Sequence, residues 1–247
     1  MQLCEWIVME RDFTLKKYRE LLTALKGYGE IMLRHDVDLR PQNSLATARL
    51  EAELGFQAVY YFRAVPQSWD EPIIREIAAL GHEVGYHYES LTTCNGDVDA
   101  AWEDFKENLA RLRQLVPVHS ICMHGSPRSP FDSKDIFKKY DYRGLGIDFE
   151  PYLDTDFSKC FYLTDTGRRW DGYKVSVRDK IPEYQDLWVK QGLVYHSTDD
   201  IVAAAAAGTL PRRVMITTHP QRWTDSSLLW TRELVLQNLK NIVKRFR

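Results

Sequence analysis

The sequence predicts an α/β protein with a mostly parallel sheet or barrel of about seven strands. Short segments rich in apolar, β-branched and aromatic residues alternate with segments whose apolar residues recur at helical spacing. This alternation is typical of βαβ units. The chain has 247 residues, of which 44% are hydrophobic and 28% charged, as expected for one barrel-sized domain. Because no repeat or Pro-, Gly- or Ser-rich linker divides it, we treat residues 1–247 as a single domain.

Cap and turn residues mark the helices of the N-terminal half. Thr14 suits an N-cap, Pro41 suits the first turn of a helix, and Asp97 can cap a long amphipathic helix. In chain order the predicted elements are helix Leu15–Lys26, strand Ile31–Asp38, helix Pro41–Leu54, strand Gln57–Phe62, helix Ile73–Leu80, strand His82–His87, a helix with an apolar stripe from Ala101 to Leu115, and strand Val118–His124.

The C-terminal half is less regular between residues 143 and 167. Its basic end, Lys244-Arg245-Phe246-Arg247, is interpreted as the solvated end of the last helix, where cations favour the helix dipole. In chain order the predicted elements are short helix Phe131–Tyr140, strand Phe161–Thr164, helix Pro182–Lys190, strand Leu193–His196, helix Asp199–Ala207, strand Arg213–His219 and helix Ser227–Phe246.

The composition argues against nucleic acid or an integral membrane segment as a feature of this chain. There are 33 basic and 35 acidic residues, so no basic surplus attracts an anionic partner. Cys4, Cys94, Cys122 and Cys160 lie far apart, which indicates unpaired thiols of a reducing compartment. The longest small-apolar run, Ile201–Ala207, is too short to span a bilayer. We therefore predict a cytoplasmic location, and the sequence gives no oligomeric state.

Ionisable side chains follow four of the predicted strands at the same end. Asp36 and Asp38 end the first strand, His87 ends the third, His124 the fourth and His219 the last. In a parallel α/β architecture the carboxyl ends of the strands meet at one face, where active sites lie. Two carboxylates on one face of a strand also repel each other unless a cation or a shared proton offsets the cost. The pattern predicts a metal or proton-transfer site at this face.

Other interpretations apply to some of these residues and exclude other histidines. Asp38 could instead cap the helix that follows it. His82 and His119 begin their strands, so they are expected to be structural. His35 alternates with the carboxylates and is expected to pack on the other face. His196 ends a possible strand but also precedes a helix start, and both interpretations stay open.

Two motifs and a late histidine resemble the polysaccharide deacetylases of carbohydrate esterase family four. The similarity covers the chain from about residue 30 to 225. It implies a distorted (β/α) barrel that holds a divalent metal, often zinc, and removes acyl groups from amino sugars. The matching residues are Leu33-Arg34-His35-Asp36-Val37-Asp38, Gly81-His82-Glu83-Val84-Gly85-Tyr86-His87 and His219.

The resemblance also implies a role for each matching residue. Asp36 corresponds to the general base and Asp38 to the metal-binding acid. His87 corresponds to the first metal histidine, and His219 to the late general acid. On this basis we predict a metal-dependent hydrolase, with zinc as the expected metal, that removes an N-acyl group from an amino sugar of a surface-glycan precursor.

The chain departs from the family pattern at the second metal histidine, which lies four residues after the first. Leu91 occupies that position and cannot ligate a metal. The replacement is His124 or Glu89, and we prefer His124 because it preserves a set of two histidines and one carboxylate. The alternative is a catalytically silent carbohydrate-binding or scaffold protein that has lost the metal.

The residues predicted to bind the carbohydrate are aromatic or basic and lie beside polar runs. Aromatic faces suit stacking on a sugar ring, and arginines suit hydroxyls or a phosphate. The alternatives are that the tryptophans pack in the core and that an arginine pairs with Asp165 or Asp171. The predicted residues are Arg168, Arg169, Trp170, Arg222 and Trp223, with Tyr173 beside them.

Overall fold

The fold is an α/β fold built on one parallel sheet. The structure is a computed structural model that describes residues 11–126, 129–170, 176 and 179–245, with side chains described as far as residue 242. Its strands are β1 Glu30–Val37, β2 Ala58–Phe62, β3 Glu83–Tyr88, β4 Ile121–Met123, β5 Phe161–Thr164 and β6 Arg213–Thr218. They lie in the order β4-β3-β2-β1-β6-β5, and every pair is parallel. The sheet curls as half of a barrel, so the predicted fold class is confirmed.

The helices connect these strands, and their caps follow the predicted chemistry. The Thr14 hydroxyl accepts from the backbone N–H of Lys17, and the Asp97 carboxylate accepts from Asp99 and Ala100. The segment predicted as helix Phe131–Tyr140 is a 3-10 helix over Ser133–Lys138. The α-helices are α1 Leu15–Leu25, α2 Pro41–Leu54, α3 Glu71–Ala79, α4 Ser90–Thr93, α5 Val98–Arg113, α6 Pro151–Asp154, α7 Pro182–Lys190, α8 Thr198–Ala206 and α9 Ser227–Arg245.

The predicted strand Leu193–His196 does not form, which leaves six strands in the described sheet. The backbone N–H groups of His196 and Ser197 donate to the Asp200 carboxylate at 2.8 and 2.9 Å. These bonds belong to a capping box at the start of α8. The donors are therefore used by the helix start rather than by a strand ladder.

A buried polar network lies under the sheet, on the face opposite the predicted site. The Glu51 carboxylate of α2 is fully buried and accepts from the hydroxyls of Tyr18 and Tyr60. His35 Nε2 lies 2.6 Å from the same carboxylate, so His35 packs on the other face as predicted. Burial by itself would raise the pKa of Glu51. The effects of His35 and the two hydroxyls are larger and opposite, so the pKa of Glu51 is lowered. The network thus holds an ionised carboxylate in the core.

Among the described helices, none combines the length and the apolar character that crossing a membrane requires. Three cysteines fall within the described residues, and Cys94, Cys122 and Cys160 are all free thiols there. Cys4 lies outside the described residues.

We expect Glu51→Ala to lower the free energy of unfolding by about 3–5 kcal/mol, because it leaves His35 and two tyrosine hydroxyls buried without their partner. Urea unfolding measures this change. The matched control is Glu53→Ala on the same helix, whose carboxylate pairs with Arg19 at the surface and should leave stability nearly unchanged. Equal effects of the two substitutions would contradict a stabilising role for the network.

Candidate active site

The carboxyl ends of β1, β3, β4 and β6 bring four predicted site residues together. Asp38 directly follows β1, His87 lies near the end of β3, His124 follows β4 and His219 follows β6. The parallel registers align these ends, because His87 pairs with Cys122, two residues before His124. Asp38 does not cap α2, since the residue at that N-cap is Arg40 and no side chain caps it. The helix-cap alternative for Asp38 is therefore excluded.

Asp38 is at the centre of this group. Its Oδ1 atom lies 3.5 Å from His124 Nε2 and 3.7 Å from His87 Nε2. Its Oδ2 atom accepts from Gln221 at 3.2 Å and lies 4.0 Å from His219 Nε2. Oδ1 is closed off from solvent and has no hydrogen-bond partner among the described residues. Such an atom is costly to bury unless something else binds it.

Both neighbouring histidines direct Nε2 towards Asp38. His87 Nδ1 lies 2.9 Å from the carbonyl oxygen of Cys122, which only accepts, so Nδ1 carries the proton. His124 Nδ1 lies 2.8 Å from Glu89 Oε2. A carboxylate oxygen also only accepts, so Nδ1 of His124 carries a proton. Burial lowers the pKa of His87 to about 4, so this ring is neutral at neutral pH.

Glu89 supports His124 rather than facing Asp38 directly. Arg63 donates to both Glu89 oxygens, with Nε to Oε1 at 2.9 Å and Nη2 to Oε2 at 2.9 Å. Burial alone would raise the pKa of Glu89, but the bonds from His124 and Arg63 outweigh it and the pKa is lowered. The ionised carboxylate thereby fixes the orientation and the tautomer of His124, as second carboxylates commonly do around metal sites.

Asp38 Oδ1 lies about as far from each of the two Nε2 atoms as two ligands of one zinc ion lie from each other. Donor atoms about 2.0–2.1 Å from a tetrahedral zinc lie roughly 3.3–3.4 Å apart, close to the 3.5 and 3.7 Å that separate Asp38 Oδ1 from the two Nε2 atoms. The negative charge, the two imidazole lone pairs and the unpartnered Oδ1 all suit a cation. Burial raises the pKa of Asp38, but the attraction of His124, His219 and His87 outweighs this and lowers it.

A second group of possible ligands lies beside the first but suits a cation less well. Asp36, His87 and Cys122 offer ligand atoms that lie within 4.8 Å of one another. Burial raises the pKa of the Cys122 thiol well above its usual range, whereas metal binding requires the thiolate. Both oxygens of Asp36 already accept hydrogen bonds from Arg34.

Asp36 is held by a bidentate pair with Arg34 from the same strand. Arg34 Nε donates to Oδ1 at 2.9 Å and Nη2 donates to Oδ2 at 2.7 Å. Both side chains are almost fully buried. Asp36 Oδ2 also lies 3.8 Å from His87 Nε2, so the fixed carboxylate is next to the proposed ligands without being one of them. This pair is stronger and more directional than a single hydrogen bond.

His219 forms a dyad with Asp165, a residue that the sequence prediction did not select. His219 Nδ1 lies 2.6 Å from Asp165 Oδ1, and Asp165 also accepts from Trp223 Nε1 at 2.8 Å and from Arg222. Burial and Arg222 lower the pKa of His219, but Asp165 and Asp38 outweigh them and the pKa is raised. Asp165 directly follows β5, so the rule that identified His87 and His219 also applies to it.

Most of the predicted carbohydrate-binding residues do not surround this donor set. Trp170 and Trp223 are 2% and 1% exposed, so neither ring offers a face to a sugar. Arg222 is bound to Asp165, as the pairing alternative proposed. Arg168 and Arg169 instead line a cavity of about 450 Å³ beside α9, whose lining contains none of the proposed ligands. Asp171 and Tyr173 lie outside the described residues.

Leu91 and the remaining histidines also lie away from the donor set. Leu91 is buried with Ala101 and Ile136 in a separate apolar cluster. His82 accepts from the backbone N–H of Ala58 and lies 2.9 Å from the carbonyl oxygen of Ala48, which is a structural role. His119 is exposed and precedes β4, and His196 lies in the cap of α8, where it contacts Arg169.

Two solved structures are similar to this chain at low sequence identity. A CE4 esterase of Streptococcus mutans has a TM-score of 0.46 and 12% identity, covering 96% of this chain and 89% of its own. A mutant form of the peptidoglycan deacetylase PdaC of Bacillus subtilis has a TM-score of 0.40 and 12% identity, covering 88% of this chain and 96% of its own. No protein-family model matches the chain, and no curated protein is similar to it.

We expect the His219 imidazole to titrate above the ordinary histidine value of about 6.5, because the Asp165 carboxylate stabilises its charged form. The ring is then protonated below its folded pKa and loses its charge as the pH rises through that value. NMR titration of the metal-free protein measures this pKa directly. The Asp165→Asn variant should titrate lower, whereas a His219 pKa at or below 6.5 in the wild type would contradict the dyad.

Proposed function

We propose that the protein is a metal-dependent hydrolase that removes an N-acyl group from an amino sugar. One observation carries the proposal: Asp38 Oδ1 has no hydrogen-bond partner among the described residues, yet the Nε2 atoms of two imidazoles lie 3.5 and 3.7 Å from it. Asp38, His87 and His124 would hold the metal, with zinc as the proposed ion. Such a cation supplies Lewis-acid polarisation of an amide carbonyl and a lower pKa for the attacking water.

The proposed proton transfers divide between two fixed side chains. Asp36, oriented by Arg34, accepts the proton of the attacking water. His219 donates from Nε2 to the leaving nitrogen, since its Nδ1 is engaged by Asp165. An amide nitrogen does not leave as an anion, so an acid at this position is required. The pKa of His219 is raised by Asp165, which favours the protonated form that this acid needs.

The proposed substrate is an N-acetyl-like amino sugar of a surface-glycan precursor. Its support comes from the motif resemblance, and from the names of the two similar structures, an esterase and a peptidoglycan deacetylase. A cytoplasmic location is part of the proposal, since the described cysteines are unpaired.

The silent-scaffold alternative has less support than the hydrolase. Its basis was Leu91, which belongs to an apolar cluster rather than to the donor set. Glu89 is ionised and bound to His124 and Arg63, an arrangement that a protein without a metal would not need. The cost of burying these charges favours a retained function for them.

We expect purified protein dialysed against zinc to hold about one metal ion per chain, measured by elemental analysis. Asp38→Ala and His124→Ala should lose the stoichiometric metal. Glu89→Gln should weaken binding roughly 10- to 100-fold, because Glu89 only orients a ligand. His119→Ala, an exposed histidine away from the site, is the matched control. A wild type without metal would overturn the hydrolase, and full affinity in the His124 variant would remove His124 from the ligand set.

We expect Asp36→Asn to retain the metal but to lose turnover by roughly 10²- to 10⁴-fold, the usual contribution of a general base. Acetate release from N-acetylated amino-sugar oligosaccharides measures turnover, and elemental analysis of the same sample measures the metal. Unchanged turnover would remove Asp36 from the base role, and loss of metal would instead make Asp36 a ligand.

A further inference from the structure

The last helix, α9, exposes five large apolar side chains and buries three polar ones. Of the eight large hydrophobic residues that are exposed in the described chain, five lie on this helix. Four of them follow one another at intervals of seven, four and three residues, so they share one face of the helix. The exposed residues and their exposed fractions are Leu228 78%, Val235 52%, Leu236 40%, Leu239 56% and Ile242 52%.

The opposite face of α9 packs against the protein through polar groups. Glu233, Gln237 and Asn241 recur every four residues and are 7%, 4% and 8% exposed. Asn241 Nδ2 donates to the carbonyl oxygen of Gly167 at 2.9 Å, and Glu233 lies 3.8 Å from Arg40. The helix is therefore attached by its polar face. Its apolar face is directed away from the core, the reverse of an ordinary surface helix.

The exposed side of α9 is also basic. Arg232 and Lys240 are exposed, and the one acidic residue of the helix, Glu233, faces the protein. The sequence of α9 continues with Lys244 and Arg245. The net charge of −2 for the whole chain thus conceals a local surface in which an apolar stripe has the exposed cations Arg232 and Lys240 beside it and no exposed acidic residue of α9.

We propose that α9 is a docking surface for an anionic lipid bilayer. A helix with an apolar face bordered by Lys and Arg binds in the plane of a membrane interface through buried apolar area and attraction to anionic headgroups. A contiguous exposed apolar stripe is typical of an interaction site. The cationic border selects an anionic partner over a neutral one.

The position of α9 connects this surface with the candidate active site. Arg40 follows Asp38 by two residues, and Gly167 follows Asp165 by two residues, so α9 contacts the loops at the carboxyl ends of β1 and β5. Docking along α9 holds that edge of the sheet close to the lipid surface. If the proposed hydrolase activity is correct, its substrate class is an amino sugar carried on a lipid, although the docking does not depend on that activity.

Vesicle flotation of the full chain tests the proposal. The wild type should float with vesicles of phosphatidylcholine mixed with phosphatidylglycerol and not with phosphatidylcholine alone, and added salt should weaken the binding. Val235→Ser with Leu239→Ser should abolish flotation. Lys240→Gln should weaken binding about fivefold, the factor that corresponds to about 1 kcal/mol per basic residue near an anionic membrane.

Leu187→Ser is the matched control, because Leu187 is 48% exposed on α7 and should not affect flotation. Circular dichroism melting confirms that the variants, all altered at exposed positions, fold as the wild type does.

No binding to anionic vesicles, or binding that survives the double substitution, overturns the proposal. A wild-type dimer that the double substitution converts to a monomer, without vesicle binding, assigns the stripe to a second copy and also overturns it. Metal content and acetate release remain separate measurements, so failure of docking and failure of the hydrolase are distinguishable.

Discussion

The candidate site at the carboxyl ends of the strands is arranged around the carboxylate of Asp38. It is surrounded by three imidazoles, and one of its oxygens is closed off from solvent without a hydrogen bond from the described residues. Removing a charged oxygen from water without a partner costs several kcal/mol. The three imidazoles can reduce this cost in only two ways, as cations or as ligands of a metal ion that they share with Asp38. The proposed divalent cation would bind Oδ1 together with the Nε2 atoms of His87 and His124.

Two buried ion pairs hold Asp36 and His219, the two side chains to which we assign the proton transfers. Arg34 fixes Asp36 from within β1, and Asp165 fixes His219 from the end of β5. Each pair is formed between residues of the sheet edge, so neither depends on a flexible surface loop. Pre-organised groups of this kind favour reaction because little rearrangement is needed when charge develops. In the proposed mechanism, Asp36 as base and His219 as acid would supply the two proton transfers that amide hydrolysis requires.

The sequence predicted the sheet edge well because the features involved are local. Apolar runs, caps such as Thr14 and Asp97, and an ionisable residue after each strand can be recognised without tertiary information. His124 was selected because it follows a strand, and the structure brings it to Asp38. Tertiary partners were not recognisable in this way. The Asp200 capping box prevented the strand predicted at Leu193–His196, and the burial of Trp170 and Trp223 depends on contacts that no local pattern reports.

X-ray absorption spectroscopy of the zinc-loaded protein tests the central claim most directly, because it identifies the atoms bound to the metal. We expect a first shell of nitrogen and oxygen at about 2.0–2.1 Å with two imidazoles and no sulfur. That result would assign the metal to Asp38, His87 and His124. A zinc–sulfur distance of about 2.3 Å would instead place the metal on the Asp36, His87 and Cys122 group and contradict the account given for Asp38.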